Sequence, residues 1–384
     1  MAGIACLAGP GAAVASRPSA VLVFAPVNER SLAALPGMSV GILSAAEGSP
    51  SSTQLELDIT QGARLASGAY ASPPSPLELL TRRAGGAIAG WARARARARA
   101  APGELVPGLL ASRLGGAAYV ASAGHSSDAA VAADTDGHVA AVSLGEPATL
   151  AARVRELGAH WPLVVVTGPP GRPGRDAVRR LDASRGPREL LIVVQSDPAS
   201  RPSRLLWIGA AGLGATGPGA AGLDAAGLDD GSAGELTSSD TQERGLLAST
   251  DIAPTILAHE HLPTPASVQG KHVRVEGHLD GPALRSTMAR LEVIGSRRLP
   301  ALGWLLLAWV LMVACTRTRQ GRRRALRIGA LGVLWAPVVA LLTAALAPAA
   351  VVEYLLLAVL CPTLGALCDR LLAWPRALLA PALA

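Results

Sequence analysis

Pro162–Gln195 reads PLVVVTGPPGRPGRDAVRRLDASRGPRELLIVVQ, and this stretch decides the fold class. Pro162–Val166 and Glu189–Gln195 are short, continuous apolar runs, rich in Val and Ile, of the length of buried strands. Between them the pattern predicts a helix over 174–184. Two strands apolar on both faces with a helical crossover between them imply a parallel or mixed sheet covered by helices on each side. Gly168-Pro169-Pro170-Gly171, which follows the first strand, has the position of a phosphate loop. Its prolines lack backbone donors and no Gly-Lys-Ser/Thr follows, so that chemistry is excluded.

Outward from this unit the alternation continues. Val21–Phe24 is a third buried strand, closed by Pro26, and Val40–Leu43 a weaker fourth. Residues 77–100 read as a helix. Arg93, Arg95, Arg97 and Arg99 fall near its end at a spacing that spreads them around the axis, as a solvated helix terminus. Ala130–Leu144 reads as a hairpin, VAAD and HVAAVS flanking the turn dipeptide Asp136-Gly137. A helix is expected over 147–158, and 211–235, rich in Gly, Ala and Asp, reads as a loop.

The character changes beyond residue 285. Pro300–Ala314 is almost uninterrupted apolar sequence, and two further apolar runs follow, separated by Pro348. Crossing ~30 Å of hydrocarbon takes ~20 helical residues. The reading is three transmembrane helices at about 299–315, 328–347 and 349–368, with a short apolar tail over 371–384. Arg317, Arg319, Arg322, Arg323, Arg324 and Arg327 crowd the first connection, and positive residues favour the cytoplasmic side. The expected topology therefore puts residues 21–285 outside the cytoplasm and the 316–327 loop inside, in the plasma membrane. Asp369-Arg370 and Arg376 return to the inner side, and Glu353 falls at the outer interface, where a carboxylate costs less than at mid-bilayer. Residues 1–20 carry features of a signal peptide: a small apolar stretch and Ala13-Val14-Ala15 before Ser16. They lack a basic start, and Gly9-Pro10-Gly11 interrupts the apolar run.

Composition narrows the function classes. The net charge of +7 is almost entirely Arg, much of it in that one loop, and aromatics are 3%. Nucleic-acid binding needs a basic face, with stacking rings for single strands, so no nucleic-acid partner is expected. Cys6, Cys315, Cys361 and Cys368 lie in the N-terminus and the apolar C-terminal part, with no metal-ligand spacing. His259, Glu260 and His261 form HEH, whose i, i+2 spacing points the two imidazoles apart on a helix. With His272 they read as solvated residues and not as a zinc site.

Leu236–Gly270, LTSSDTQERGLLASTDIAPTILAHEHLPTPASVQG, carries the one recognisable wording. Thr250 or Asp251 suits an N-cap, Pro254 fits a first helical turn, and Ile252, Ile256 and Leu257 face a core. This segment resembles one late in alkaline-phosphatase-like and sulfatase-like domains, and more narrowly a group of actinobacterial membrane proteins with such an outer domain ahead of several transmembrane helices. Val40–Ala66 is similar to the segment that carries the nucleophile there, and ELLIVVQSDP to the strand that ends in an Asp-His metal pair. The resemblance covers roughly residues 20–275. It implies a doubly wound, mostly parallel sheet, a nucleophile at Ser51 or Ser52, and a metal ligand at Asp197.

The departures are as informative. Chemistry of that kind needs two divalent metals held by Asp and His and a hydroxyl polarised by them. The first strand runs into Ala25-Pro26 where the resemblance implies Asp, and Pro198 stands where it implies His. The expectation is a non-catalytic envelope protein without a cofactor, its degenerate hydrolase-like domain used for binding or assembly, with the lipid bilayer and other envelope proteins as partners. The rival is a metal-dependent phosphatase, phosphodiesterase or sulfatase using Zn, Mn, Mg or Ca. A weaker rival is a subunit of an envelope transport or polymer-assembly system.

Overall fold

The computed structural model describes residues 19–83, 85–122, 128–196, 203–213, 233–241, 243–346 and 350–371. The chain divides into two compact units, Met1–Met288 and Ala289–Ala384. In chain order the elements are β1 (Ser19–Ala25), α1 (Glu29–Ala33), β2 (Ser39–Ser44), α2 (Ser52–Gln61), β3 (Glu78–Arg82), β4 (Gly85–Ala89), α3 (Trp91–Arg99), α4 (Leu109–Leu114), β5 (Ala118–Ser122), β6 (His138–Val139), β7 (Ala141–Gly145), α5 (Leu150–Gly158), β8 (Leu163–Thr167), α6 (Arg172–Ala183), β9 (Glu189–Gln195), β10 (Leu205–Ala211), β11 (Glu235–Thr237), β12 (Leu246–Ala248), α7 (Ile252–His259), β13 (Arg274–Glu276), α8 (Gly281–Ala314), α9 (Arg319–Leu346) and α10 (Ala350–Leu371).

The three strands with the clearest sequence signal form the centre of one sheet. β1 pairs in parallel with β8 on one side and β9 on the other, Val21 lying opposite both Val164 and Leu191. Among the described residues the sheet runs β13-β11-β2-β10-β9-β1-β8-β5-β7, with β12 also on β2. β10 and β13 are antiparallel to their neighbours and the other pairings are parallel. Continuous apolar strands are what a sheet covered on both faces demands. Leu22, Phe24, Leu163, Val165, Ile192 and Val194 face one core, with Leu57 and Ile59 of α2, Leu110 of α4, and Ile256 and Leu257 of α7. Val21, Val23, Val164, Val166 and Val193 face the other, with Leu32 of α1, Leu150 and Val154 of α5, and Val178 and Leu181 of α6. Each such fully buried Leu or Ile contributes roughly 1.5–3 kcal/mol of apolar transfer. The architecture is thus a mostly parallel, mixed α/β sheet wound on both faces.

Two local expectations are corrected. Residues 77–100 are not one helix. β3 and β4 form an antiparallel hairpin, extended by β6 into a small second sheet, and only Trp91–Arg99 is helical. Gly90 sits at φ +85°, and a Cβ there would stand 2.6 Å from the Pro76 carbonyl oxygen, so the chain breaks at Gly90 and the helix begins after it. Ala130–Leu144 is not one hairpin either. Ala129–Ala132 is a 3-10 turn, β6 pairs with β4, and β7 joins the main sheet beside β5. The Asp136-Gly137 turn is present, with Gly137 at φ +84° and the Asp134 carboxylate accepting from Asp136 and His138 N–H.

The second unit is helical. Two of its helices are long and apolar enough to cross a membrane, Arg319–Thr343 and Val351–Leu371, and Leu302–Ala314 is a shorter apolar helix. At 1.5 Å per residue the two longer ones span about 37 and 31 Å, against about 30 Å of hydrocarbon. Leu341, Val351 and Leu355 are largely exposed, as lipid-facing residues are. α9 and α10 pack antiparallel. Asp369, almost fully buried, pairs with Arg324 at 3.5 Å and Arg327 at 2.7 Å. Closer to mid-helix the backbones approach through Gly332 and Gly365, where a Cβ on Gly365 would lie 2.5 Å from the Ile328 carbonyl oxygen. Small residues at a membrane helix crossing allow this approach. The N-terminal stretch read as a signal peptide and the apolar tail lie outside the described residues, apart from Ser19, Ala20 and Leu371.

Candidate functional site

In an open α/β sheet, ligands bind beyond the carboxyl ends of the strands. Here those ends are Ala25, Ser44, Ser122, Thr167 and Gln195, and several of them are bonded by the chain's own groups. Ala25 is fully buried. Its carbonyl accepts the N–H of Val27 and of Ser196, both at 2.8 Å, which ties the end of β1 to the end of β9. At the end of β2, Arg64 donates to the Ser44 carbonyl at 2.8 Å and pairs with Glu47 at 3.2 Å. Beyond β5 and β7, Arg153 donates to the carbonyls of Ala121 at 3.1 Å, Ser143 at 2.6 Å and Glu146 at 3.2 Å. Guanidinium donors held by backbone carbonyls are not available to a substrate.

Ser51 is the N-cap of α2, its Oγ accepting the Gln54 N–H at 3.3 Å, and Ser52 is exposed in the first turn. No hydrogen bond among the described residues joins either hydroxyl to a carboxylate or an imidazole, the partner an activated nucleophile has. Asp197 lies outside the described residues, as do Pro198 and His125. Among the described residues there is no group of three or more His, Cys, Asp or Glu that could hold a metal ion. At the end of β1, where the resemblance implies a carboxylate ligand, Ala25 and Pro26 offer no side-chain donor atom, so this part of the site does not fit a metal.

His259 and His272 take separate partners. The His259 ring nitrogen lies 3.1 Å from the Arg188 carbonyl, His261 sits at φ +57°, and the His272 Nε2 accepts from Arg274 at 3.0 Å. Burial holds the pKa of His259 and His272 below the ordinary value. His259 is therefore packed against the α/β domain, not solvated as its place at a helix end suggests.

The polar chemistry instead lies inside α2, where Gln54, Glu56, Asp58, Thr60 and Gln61 are all buried. Two clusters result. In the first, Glu56 accepts the Asp128 backbone N–H, while the Asp128 carboxylate accepts from Thr167 Oγ1 at 2.9 Å, and Thr167 shares a 2.6 Å hydrogen bond with the Tyr119 hydroxyl. Burial, then the nearby Asp128 charge, raises the Glu56 pKa well above the carboxylate range. Asp128 itself is held at φ +60°, a strained conformation for a residue other than glycine. In the second, Asp58 is 1% exposed and accepts from Gln54 Nε2 at 2.7 Å and Gln61 Nε2 at 3.4 Å. Burial pushes its pKa up to about 7, opposed by those hydrogen bonds and by Arg64 and Arg97. Arg97 lies 3.7 Å over the Tyr70 ring and donates to the Ser72 carbonyl at 2.7 Å. Of the four alternating arginines this one is a packed residue, and Arg95 pairs with Asp136 at 3.0 Å. The signal for these clusters is present in STQLELDITQ, where apolar and polar residues alternate. On a helix that period puts both kinds on every side, the mark of a helix buried all round.

The DIAPTIL segment forms α7 with a buried brace. Asp251, fully buried, accepts the Ala248 N–H and the Lys271 N–H, both at 2.9 Å. Thr255 Oγ1 donates to the Asp251 carbonyl at 2.6 Å and accepts the Val273 N–H at 2.9 Å. No protein-family model matches the chain, and no curated protein matches it either.

Proposed function

We propose that this is a membrane-anchored envelope protein whose α/β domain resembles the alkaline-phosphatase superfamily and serves binding or assembly, not hydrolysis. The mostly parallel, doubly wound sheet supports the resemblance, as does the placement of Ser51 at the start of a helix that follows β2. One observation carries the non-catalytic reading. The end of the central strand holds buried Ala25 and then Pro26; Ala25 has no polar side-chain atom, and its carbonyl holds Val27 and Ser196. Metal-assisted ester hydrolysis needs a carboxylate or imidazole at such a strand end.

The test is turnover of aryl phosphate, aryl phosphodiester and aryl sulfate by the purified full chain with zinc, manganese, magnesium or calcium. No metal-dependent turnover is expected. Turnover lost in Ser51→Ala, Ser52→Ala or Asp197→Ala would overturn the reading and establish the hydrolase.

The proposal includes three membrane-spanning segments, with α8 contributing the first, and places residues 21–285 outside the cytoplasm. The six Arg between 317 and 327 support this orientation. Reporter fusions near residues 280 and 320 should report opposite sides of the membrane. A cytoplasm-only reporter that is active at 280 would reverse the assignment.

A further inference from the structure

Between α8 and α9 lies a cleft of about 340 Å³ lined by Leu306, Trp309, Val310 and Val313 of α8 and by Arg322 and Leu326 of α9. Leu306, Val310 and Val313 follow one another at four and three residues, which places them on one stripe of α8. Leu306 and Val310 are more than half exposed. The Trp309 indole rests on Gly329, where any Cβ would collide with it, so the floor of the cleft is a ring packed on bare backbone.

The two ends of the cleft differ. Leu306 lies about 10 Å along α8 from Val313, at 1.5 Å per residue, and that deeper part is apolar. Arg322 stands in the first turn of α9, beside the α8–α9 connection. Arg324 and Arg327 are committed to Asp369, whereas the Arg322 guanidinium has no ion-pair or hydrogen-bond partner among the described residues. A free guanidinium at the mouth and an apolar slot behind it match an anion attached to a hydrocarbon chain.

We propose that this cleft binds one anionic phospholipid, its phosphate on Arg322 and an acyl chain along Leu306 and Val310. Basic positions between membrane helices at the bilayer surface recognise acidic headgroups in this way. The occupant is a lipid and not a soluble phosphate, because most of the lining is hydrocarbon that a soluble anion leaves exposed. The proposal rests on the reading that the apolar part of α8 lies in the bilayer.

The experiment is native mass spectrometry of the full chain in detergent, titrated with phosphatidylglycerol and phosphatidylcholine of matched acyl chains. The expected result is a several-fold preference for the first retained lipid to be phosphatidylglycerol. Arg322→Gln should reduce that preference about five-fold, the effect of one basic residue near an anionic membrane surface. Val310→Trp, which fills the cleft from an exposed position, should lower retention of both lipids. Arg317→Gln, in the same loop but off the cleft, should leave the preference near wild type. An equal loss in Arg317→Gln and Arg322→Gln would mean diffuse surface charge and would overturn the proposal, as would displacement of the lipid by glycerol 3-phosphate alone. Carbonate extraction of the same membranes separates the premise: release of the chain refutes bilayer insertion, whereas retention without lipid preference refutes the lipid site alone.

Discussion

Replacing Asp58 with asparagine is expected to raise the stability of the α/β domain at pH 8 by roughly 4 kcal/mol, an order-of-magnitude figure from the difference between folded and unfolded pKa. The carboxyl moves from its ordinary 3.8 to about 7 in the folded domain, chiefly because burial disfavours the charge. A raised acid pKa means the folded state holds the proton more tightly. Its contribution is therefore fully present below about pH 4 and is lost as pH rises through about 7. Asparagine keeps an acceptor for Gln54 and Gln61 and carries no charge at any pH. The cluster also contains Gln54 Oε1, a buried acceptor without a partner among the described residues, toward which a neutral donor is welcome. Urea unfolding of wild type and Asp58→Asn at pH 4, 5, 6, 7 and 8 should give curves that converge at the acid end and separate as pH rises. A variant less stable than wild type at pH 8 would mean that the charged form of Asp58 is stabilising. Glu56 adds a further decline with rising pH in both proteins, since its pKa is also raised by burial and by Asp128.

That expectation depends on a residue whose burial the pattern of STQLELDITQ signals but whose partners it does not show. The central strands were legible because Val21–Phe24, Leu163–Val166 and Leu190–Val194 are continuous apolar runs with few other ways to be buried. The apolar C-terminal helices were legible for the same reason, by length against the bilayer. β3 and β4 were not, because Leu, Glu, Ala and Arg favour helix locally. Pairing with β6 and the packing of Leu79 and Ile88 into the core override that preference. The buried acids were hidden for a different cause. Glu56, Asp128, Thr167 and Tyr119 come from four separate segments, so only the fold brings them together. The strand-end arginines Arg64 and Arg153 were equally invisible, since a surface arginine and one bonded to three carbonyls read alike in a sequence. Of the positions singled out in the sequence, Ser51 is a helix cap, whereas Asp251, expected as an N-cap, makes no side-chain cap bond to α7 and is a brace.

The brace yields the second large effect. Asp251→Ala should destabilise the α/β domain by about 3–5 kcal/mol, because it leaves the buried N–H groups of Ala248 and Lys271 without acceptors at about 1–3 kcal/mol each. For a domain of this size that corresponds to a fall in Tm of roughly 10 °C. Asp251 joins the end of β12 to the segment leading into β13, and Thr255 repeats the connection one turn later through Val273. The segment 269–270 also reaches α2, where Gln269 donates to the Gly62 carbonyl at 2.8 Å. The DIAPTIL wording is thus explained by what it holds together, a helix, two strands and the end of α2, with no step of chemistry assigned to it. Thr255→Val should cost less, about 1–2 kcal/mol, as one hydroxyl is lost with the shape kept. Burial raises the Asp251 pKa to about 6, so above that pH Asp251→Asn loses one N–H acceptor but also a buried charge, and it should cost less than Asp251→Ala. Thermal and urea unfolding of the three variants order them directly. Wild-type stability in Asp251→Ala would show that the brace is dispensable, and would return the segment to the candidates for a functional role.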